Sequence, residues 1–374
     1  MYCVKNGIDR IECADKYLKG KRVALLTNAS GVNKCGKPTY DILAEKYNLA
    51  VMFAPEHGIR TNLQDGKWNS ESLTDEETGA IIYPLKSKGN DFIPDVLKTV
   101  DIVTYDIADV GARFYTYIYN LTALMCECAK AHVPVLIFDR INPISGSIIQ
   151  GSSLDEEKYS SFIGEYSVPT RYGLTVAEYA SYINEVKNIN CELLFVPCDG
   201  WQRDMYADET DLLFVNPSPN ITGVDCAINY IGTCIFEATN ISEGRGTTRP
   251  FDLVGAPFVN SYKMLEYMRA QKLEGVVFRR AYFTPQFSKH SGELCEGLQL
   301  HIVNRQNYNP ILTMFHLYKH LSAYSEFIAK PQSLCLRYGD DTLCGEFSID
   351  TEMQKNEIYC AKFENEAKKY KIYY

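Results

Sequence analysis

Five short apolar runs, separated by helical patterns, occupy the first two hundred residues and constrain the fold more than any other feature. They are Arg22–Asn28, Leu49–Ala54, Asp101–Asp106, Val133–Asp139 and Cys191–Pro197. Continuous runs rich in Val, Ile, Leu and Phe suit strands buried on both faces. Helical patterns lie between them at Tyr40–Tyr47, Ile93–Thr99, Tyr117–Ala131 and Thr175–Val186. Thr175, followed three residues later by Glu178, is a capping-box signature. Strand alternating with helix implies an α/β fold, a parallel sheet with helices on both faces.

At 374 residues the chain has room for two domains. A polar stretch from Asp204 to Asp211 marks the expected boundary, giving an N-terminal part over 1–210 and a smaller α/β part over 211–374. Beyond the boundary come a helical run at Asp225–Glu237, strand-like segments at Val276–Phe283 and Gly297–Val303, a helix at Asn309–Ser322 and a charged helix from Thr351.

Composition removes several classes of function. Lys and Arg number 38 against 47 Asp and Glu, a formal charge of −9, which argues against a nucleic-acid partner. No apolar run approaches the 18 or so residues of a membrane span. Thirteen cysteines are scattered without a CxxC pair, so metal sites and disulfide frameworks give way to free thiols in a reducing compartment. With no basic-then-apolar start, a cytoplasmic location is expected; an exported chain whose leader has been removed is the alternative.

In an open parallel sheet, ligands bind outside the carboxyl ends of the strands. After the first run come Asn28, Ser30 and Gly31; after the second, Pro55-Glu56-His57-Gly58. Asp106 and Asp109 through Arg113 follow the third, and Asp139-Arg140-Ile141-Asn142 the fourth. The bland reading of any one of these is a helix cap. Four consecutive strands ending this way favour a site.

Familiar motifs fail. Gly31-x4-Gly36-Lys37 has the setting of a phosphate loop, but Pro38 replaces the magnesium-holding hydroxyl. There is no G-x-G-x-x-G, so no dinucleotide cofactor is expected, and no G-x-S-x-G nucleophile elbow. His316 and His320 share a helix face without the glutamate of a zinc protease, and read as a half-buried surface. No metal or other cofactor is expected.

Carboxylate chemistry remains. Glu56 ends an apolar strand, and a carboxyl beside a hydrophobic wall has the raised pKa that suits a general acid. Asp106 or Asp109 could supply the second carboxylate that glycoside hydrolysis usually needs. Phe114, Tyr115, Tyr117 and Tyr119 offer rings for a sugar face or for core packing. Arg113, Arg140, Arg171 and Arg245 stand in loop-like segments and could grip an anionic ligand.

Nine segments then occur in an order that resembles one family: 54–58, 109–117, 139–143, 170–175, 216–220, 232–234, 244–251, 288–290 and 297–301. The chain resembles the exo-β-N-acetylmuramidases of the NamZ type over about residues 7 to 374. The resemblance implies a Rossmann-like N-terminal domain, a smaller C-terminal α/β domain and an active cleft between them. It implies release of N-acetylmuramic acid from the non-reducing end of peptidoglycan-derived glycans, with Glu56 as the catalytic glutamate. His57 and Asp109 would shape its charge and position. Asn28, Asp106, Arg113, Tyr115, Tyr117, Asp139, Arg140, Asn142, Arg171, Asn220, Arg245, Thr247, Thr248 and His290 are the expected substrate contacts. A muropeptide glycan is the expected partner, and oligomeric state is left open. Ala108 stands where the family often carries glutamine, a hint toward a sugar-acid-binding protein without turnover. A hydrolase for another N-acetylated or acidic sugar is the remaining alternative.

Overall fold

The computed structural model describes residues 2–61, 72–85 and 90–374. Seven strands form the larger sheet: β1 (Arg22–Thr27), β2 (Asn48–Ala54), β3 (Leu73–Thr74), β4 (Ile81–Pro84), β5 (Ile102–Asp106), β6 (Val135–Phe138) and β7 (Leu193–Val196). Their order is β3-β4-β2-β1-β5-β6-β7. The β3–β4 pair is antiparallel and every other pair is parallel. Around and after it run α1 (Asp15–Leu18), α2 (Thr39–Lys46), α3 (Ile93–Leu97), α4 (Tyr117–Ala131), α5 (Glu156–Tyr159), α6 (Val176–Val186) and α7 (Val224–Thr233). A second sheet follows, with β8 (Leu253–Ala256), β9 (Val276–Phe283) and β10 (Cys295–Ile302) in the antiparallel order β8-β10-β9. It is accompanied by α8 (Ser261–Ala270), α9 (Pro310–Leu321), α10 (Pro331–Tyr338) and α11 (Ile349–Ala367).

All five apolar runs are strands of the larger sheet, and their residues divide by parity. Val23, Leu25, Met52, Leu136 and Phe138 pack with Ile8, Ile11, Leu18, Ile42 and Leu43 on one face. Ala24, Leu26, Val51, Phe53, Val103, Tyr105 and Ile137 pack with Val96, Leu121 and Met125 on the other. Burial on both faces is what a continuous apolar strand requires. Thr175 caps α6, its hydroxyl accepting from the Glu178 amide while the Glu178 carboxylate accepts from the Thr175 amide at 3.0 Å. β3, β4, β8, α8 and α10 were not expected from the sequence.

Strand order reverses at β1, which lies between β2 on one side and β5 on the other. Such a switch point opens a crevice at the carboxyl ends of the strands. The same hydrophobic cluster that fills one face of the large sheet continues through Tyr115 and Tyr117 to Ile231, Phe236, Leu298 and Phe315. The two sheets therefore share a core.

Candidate active site

Beyond β2 the chain turns at Pro55, with the Gly58 amide donating to the Pro55 carbonyl at 3.0 Å. His57 takes a left-handed conformation (φ 69°), and Gly58 follows at φ 79°. A non-glycine residue there costs about 1–3 kcal/mol and is held only by its surroundings. The turn leaves Glu56 only 6 % exposed, lining a cleft of about 450 Å³ including its mouth.

α4 brings the next wall. Its N-cap Thr116 donates from Oγ1 to Glu56 Oε2 at 3.2 Å. Tyr115 and Tyr117 flank it with ring centroids 5.0 Å apart and nearly perpendicular. Tyr117 donates its hydroxyl to the Pro217 carbonyl at 2.9 Å, and Asn28 donates Nδ2 to the same oxygen at 3.0 Å. That pair anchors the segment carrying Ser218, Asn220 and Ile221 into the cleft. Tyr230 of α7 and Phe251 complete an aromatic side, 4.7 Å apart and edge-to-face. Phe251 is also left-handed, at φ 63°.

Arg245 enters from a loop that two glycines make possible. Gly244 and Gly246 both have φ 82°, and a Cβ would lie 2.6 Å from the Arg249 carbonyl oxygen or 2.3 Å from that of Phe287. The guanidinium stands 5.4 Å from the Phe251 ring and pairs with Glu237 at 2.5 Å and Glu243 at 3.7 Å. Glu237 is also held by Arg337 at 2.8 Å, and Glu243 by Lys289 at 2.6 Å. Arg245, Glu237, Arg337, Glu243 and Lys289 thus form one chain of ion pairs that reaches the edge of the cleft at Arg245.

The structure thus gathers Glu56, His57, Tyr115, Tyr117, Asn220 and Arg245 and sets the other expected contacts elsewhere. Arg113 is fully buried and donates to the carbonyls of Ser152, Val168 and Tyr338, which corrects its expected role in gripping a ligand. Arg171, equally buried, reaches the Ile144 carbonyl and Gln150. Arg140 and Asp106 form a buried two-pronged pair at 2.5 and 2.8 Å, with Thr39 closing on Asp106. Neither faces the cleft. Asp139 accepts from the Ala177 amide, the Thr175 hydroxyl and the Tyr373 hydroxyl, the capping role that the bland reading foresaw. Asn142 bonds the Leu174 carbonyl and the Ile144 amide. Thr247 closes its own turn on Gly244, Thr248 is exposed, and His290 meets the Asn240 carbonyl at 2.6 Å.

Asp109 departs from the expectation that it positions Glu56. It lines a separate cavity with Ala108 and Arg140, and its Oδ2 accepts from Tyr172 and the Gly111 amide. Burial raises its pKa to about 6 against those hydrogen bonds. Ala108 lies in that same cavity. Among the described residues lining the acid cleft, Glu56 is the one carboxylate. Thr116, Ser218, Tyr230 and Phe251 are not among the expected contacts, although three of them fall inside the nine segments; Tyr230 stands two residues before one, with no other signal. Lys289, the neighbour of His290, was missed in the same way. The described residues contain no group of three or more His, Cys, Asp or Glu placed to hold a metal, and no helix long and apolar enough to cross a membrane. His316 and His320 pack by Tyr267, with ring centroids 6.4 and 4.8 Å away.

A mostly parallel sheet with its strand order reversed at β1, and a buried carboxyl just beyond β2, define an α/β protein with a cleft at the carboxyl ends of its strands. Sequence comparison narrows that class. A family model for the N-terminal part of the exo-β-N-acetylmuramidase NamZ matches residues 23–225, and one for its C-terminal part matches 228–373. The chain belongs to this family. It is 44% identical over 313 residues to the peptidoglycan β-N-acetylmuramidase NamZ of Bacillus subtilis, covering 83% of this chain and 75% of that protein. Two solved structures of DUF1343 family proteins from Bacteroides fragilis share the fold. One is 29% identical with a TM-score of 0.91 and full coverage of both chains; the other is 27% identical with a TM-score of 0.80 and 99% coverage of each.

Proposed function

We propose that the protein is a glycoside hydrolase that releases N-acetylmuramic acid from the non-reducing end of peptidoglycan-derived glycans, with Glu56 as its general acid. The observation that carries the reading is Glu56 itself, a nearly buried carboxyl bonded by Thr116 in an aromatic-walled cleft edged by Arg245. Glu56 gives its proton to the glycosidic oxygen as the bond from that oxygen to the sugar's anomeric carbon breaks. Water finally adds hydroxyl to that carbon, and its proton restores the acid. Among the described residues Glu56 is the one carboxylate lining the cleft, with Asp106 tied to Arg140 and Asp109 in another cavity, and attack by the substrate's own acetamido oxygen fits that lining better than attack by either aspartate. We place the activity in the cytoplasm, since thirteen scattered cysteines suit a reducing compartment.

Glu56→Gln keeps the shape and removes the proton. General acids contribute about 10²- to 10⁴-fold, so turnover of a muramic acid–glucosamine disaccharide should fall by about that factor. An aryl muramide, whose phenolate leaves without protonation, should lose less. Near-full activity of the variant on the disaccharide would overturn the assignment.

A further inference from the structure

Thirteen cysteines are free thiols, and among the described residues one pair of them brings its sulfurs into contact: Cys335 and Cys344, with Sγ atoms 3.0 Å apart. We propose that these two form a disulfide site, closed by exchange with a small-molecule disulfide of the glutathione class, which staples α10 to the turn that follows it. The staple forms whatever reaction Glu56 supports.

Cys335 faces inward from α10 and is 6 % exposed, whereas Cys344 ends a single 3-10 turn over Thr342–Cys344 and is exposed. The two stand nine residues apart, so no short motif announces them. Bonded sulfurs lie about 2 Å apart, and a shift of about 1 Å would close this gap. Both sides of it are anchored. α10 is held where the Tyr338 carbonyl accepts from Arg113 and where Arg337 pairs with Glu237 at 2.8 Å. The turn is held by α9, whose Tyr318 hydroxyl donates to the Leu343 carbonyl at 2.9 Å. Between them Gly339, at φ 111°, accepts from the Asp155 amide at 2.8 Å, and a Cβ there would lie 2.1 Å from the Ser153 carbonyl oxygen. Fixing two groups side by side makes their reaction effectively unimolecular.

The bland reading is a buried cysteine packed as a small hydrophobe with a weak S–H donor. A metal site is a second reading, but no third His, Cys, Asp or Glu joins the pair among the described residues. What favours exchange is access. A hollow of about 960 Å³ including its mouth is lined by Tyr318, Lys319, Cys344 and Phe347 among others, and gives a dissolved disulfide a way to Cys344. The Cys344 thiolate attacks one sulfur of that disulfide, whose S–S bond breaks and releases one small thiol. The Cys335 sulfur then attacks Cys344 Sγ, breaking the mixed disulfide and releasing the second thiol. The two protons of the cysteines end on the two thiols released, and two protein thiols are oxidised as one small disulfide is reduced. Burial, the Cys335 contact and the charge of Asp341 push the Cys344 thiol up to about 12. Little thiolate is present near neutral pH, so the pair answers slowly, to the standing redox poise of its surroundings.

The intact chain is equilibrated with mixtures of reduced and oxidised glutathione, its remaining thiols are alkylated, and tryptic peptides are read by mass spectrometry. Trypsin cuts after Arg337, between the two cysteines, so the closed pair appears as two linked peptides. In the oxidised mixture the link should join Cys335 to Cys344 ahead of any other pair, and a dithiol should reverse it. Closing a loop of this length should raise the folding equilibrium constant about 10- to 100-fold, read as a higher urea midpoint. Cys344→Ser should lose both the link and the rise, and as an exposed position it should keep the fold. Cys335→Ser should hold glutathione on Cys344 as a stable mixed disulfide, because the resolving sulfur is gone. Wild type and Cys344→Ser decide the matter even where the buried Cys335→Ser fails to fold. Glutathione retained on wild-type Cys344 without a link, or links formed equally among other cysteines, would overturn the site. A link that forms and leaves the urea midpoint unchanged or lower would overturn the staple.

Discussion

Among the four arginines that the sequence offered as an anion grip, Arg245 alone lines the cleft among the described residues. N-acetylmuramic acid differs from N-acetylglucosamine by a lactyl ether bearing a carboxylate, so a preference for it needs a cation. Charge-assisted hydrogen bonds are worth about 1.5–3 kcal/mol, roughly 10- to 150-fold. Arg245→Ala should therefore cut kcat/KM on an aryl β-N-acetylmuramide by about that factor and hardly change weak activity on the glucosaminide. Arg337 and Lys289 still pair Glu237 and Glu243 in the variant, so the fold should survive. An unchanged preference would exclude a lactyl grip by this residue. Why the other three misled is physical: a charge after a strand reads the same whether it faces a ligand or, like Arg113, a set of carbonyl oxygens. Charged groups stand out in a sequence, whereas the hydroxyl of Thr116 and the ring of Phe251 take their place in the cleft only through the fold. Asp109 offers a prediction in pH. Its folded pKa of about 6 lies above the ordinary 3.8. A raised carboxyl pKa means that the folded state holds the proton more tightly, so its contribution is complete below about 3.8 and lost as pH rises through about 6. The two-unit gap corresponds to roughly 3 kcal/mol. Asp109→Asn, with its amide nitrogen at Oδ1, which has no hydrogen-bond partner among the described residues, should show a smaller decline in urea stability between pH 4 and 6 than the wild type; parallel curves would refute this.

Elements were legible where burial was continuous. The five apolar runs need no partner to announce themselves, and the capping box of α6 stands in the sequence as Thr175 and Glu178. β4 has four residues ending at Pro84, β3 has two, and β8 is Leu-Val-Gly-Ala, too short to show a period. α8 does bury Ser261, Met264, Leu265 and Met268 at helical spacing, but Tyr262 and Tyr267 blur that stripe. Loops that carry function are legible through glycine. Gly246 sits at φ 82° with no room for a Cβ beside the Phe287 carbonyl, whereas Gly292, at φ 79°, has nothing within 4 Å. Both substitutions by alanine meet the left-handed cost of about 1 kcal/mol. Gly246→Ala must also move the loop, and should lower stability by about 2–3 kcal/mol and weaken the preference for muramides by displacing Arg245. Urea midpoints for the two variants, read beside that preference, check this; equal behaviour would mean that the loop is not held by Gly246.

At the scale of the molecule, the boundary proposed between residues 210 and 211 separates two sheets but not two cores. One hydrophobic cluster joins Phe53 and Val103 of the large sheet to Ile231, Leu298 and Phe315. Arg113 bonds the carbonyl of Tyr338 in α10. The C-terminal end comes back to the first part: the Tyr373 hydroxyl reaches Asp139 at 2.7 Å, its carbonyl accepts from Arg203 at 3.1 Å, and its ring lies 5.3 Å from Trp201. Domains that merely touch unfold separately, while parts that share a core lose it together. The chain should therefore unfold in urea as one transition, with the same midpoint by far-UV circular dichroism and by tryptophan fluorescence. Tyr373→Ala opens a buried aromatic site, a change that commonly costs about 3–5 kcal/mol. If the core is shared, that variant should lower both midpoints together, although the substitution lies 35 residues beyond α10 and far from β8–β10 in sequence. Two separated transitions, with only the one containing Trp201 moved by Tyr373→Ala, would mean that the two sheets fold independently and that the cleft between them is an interface free to open.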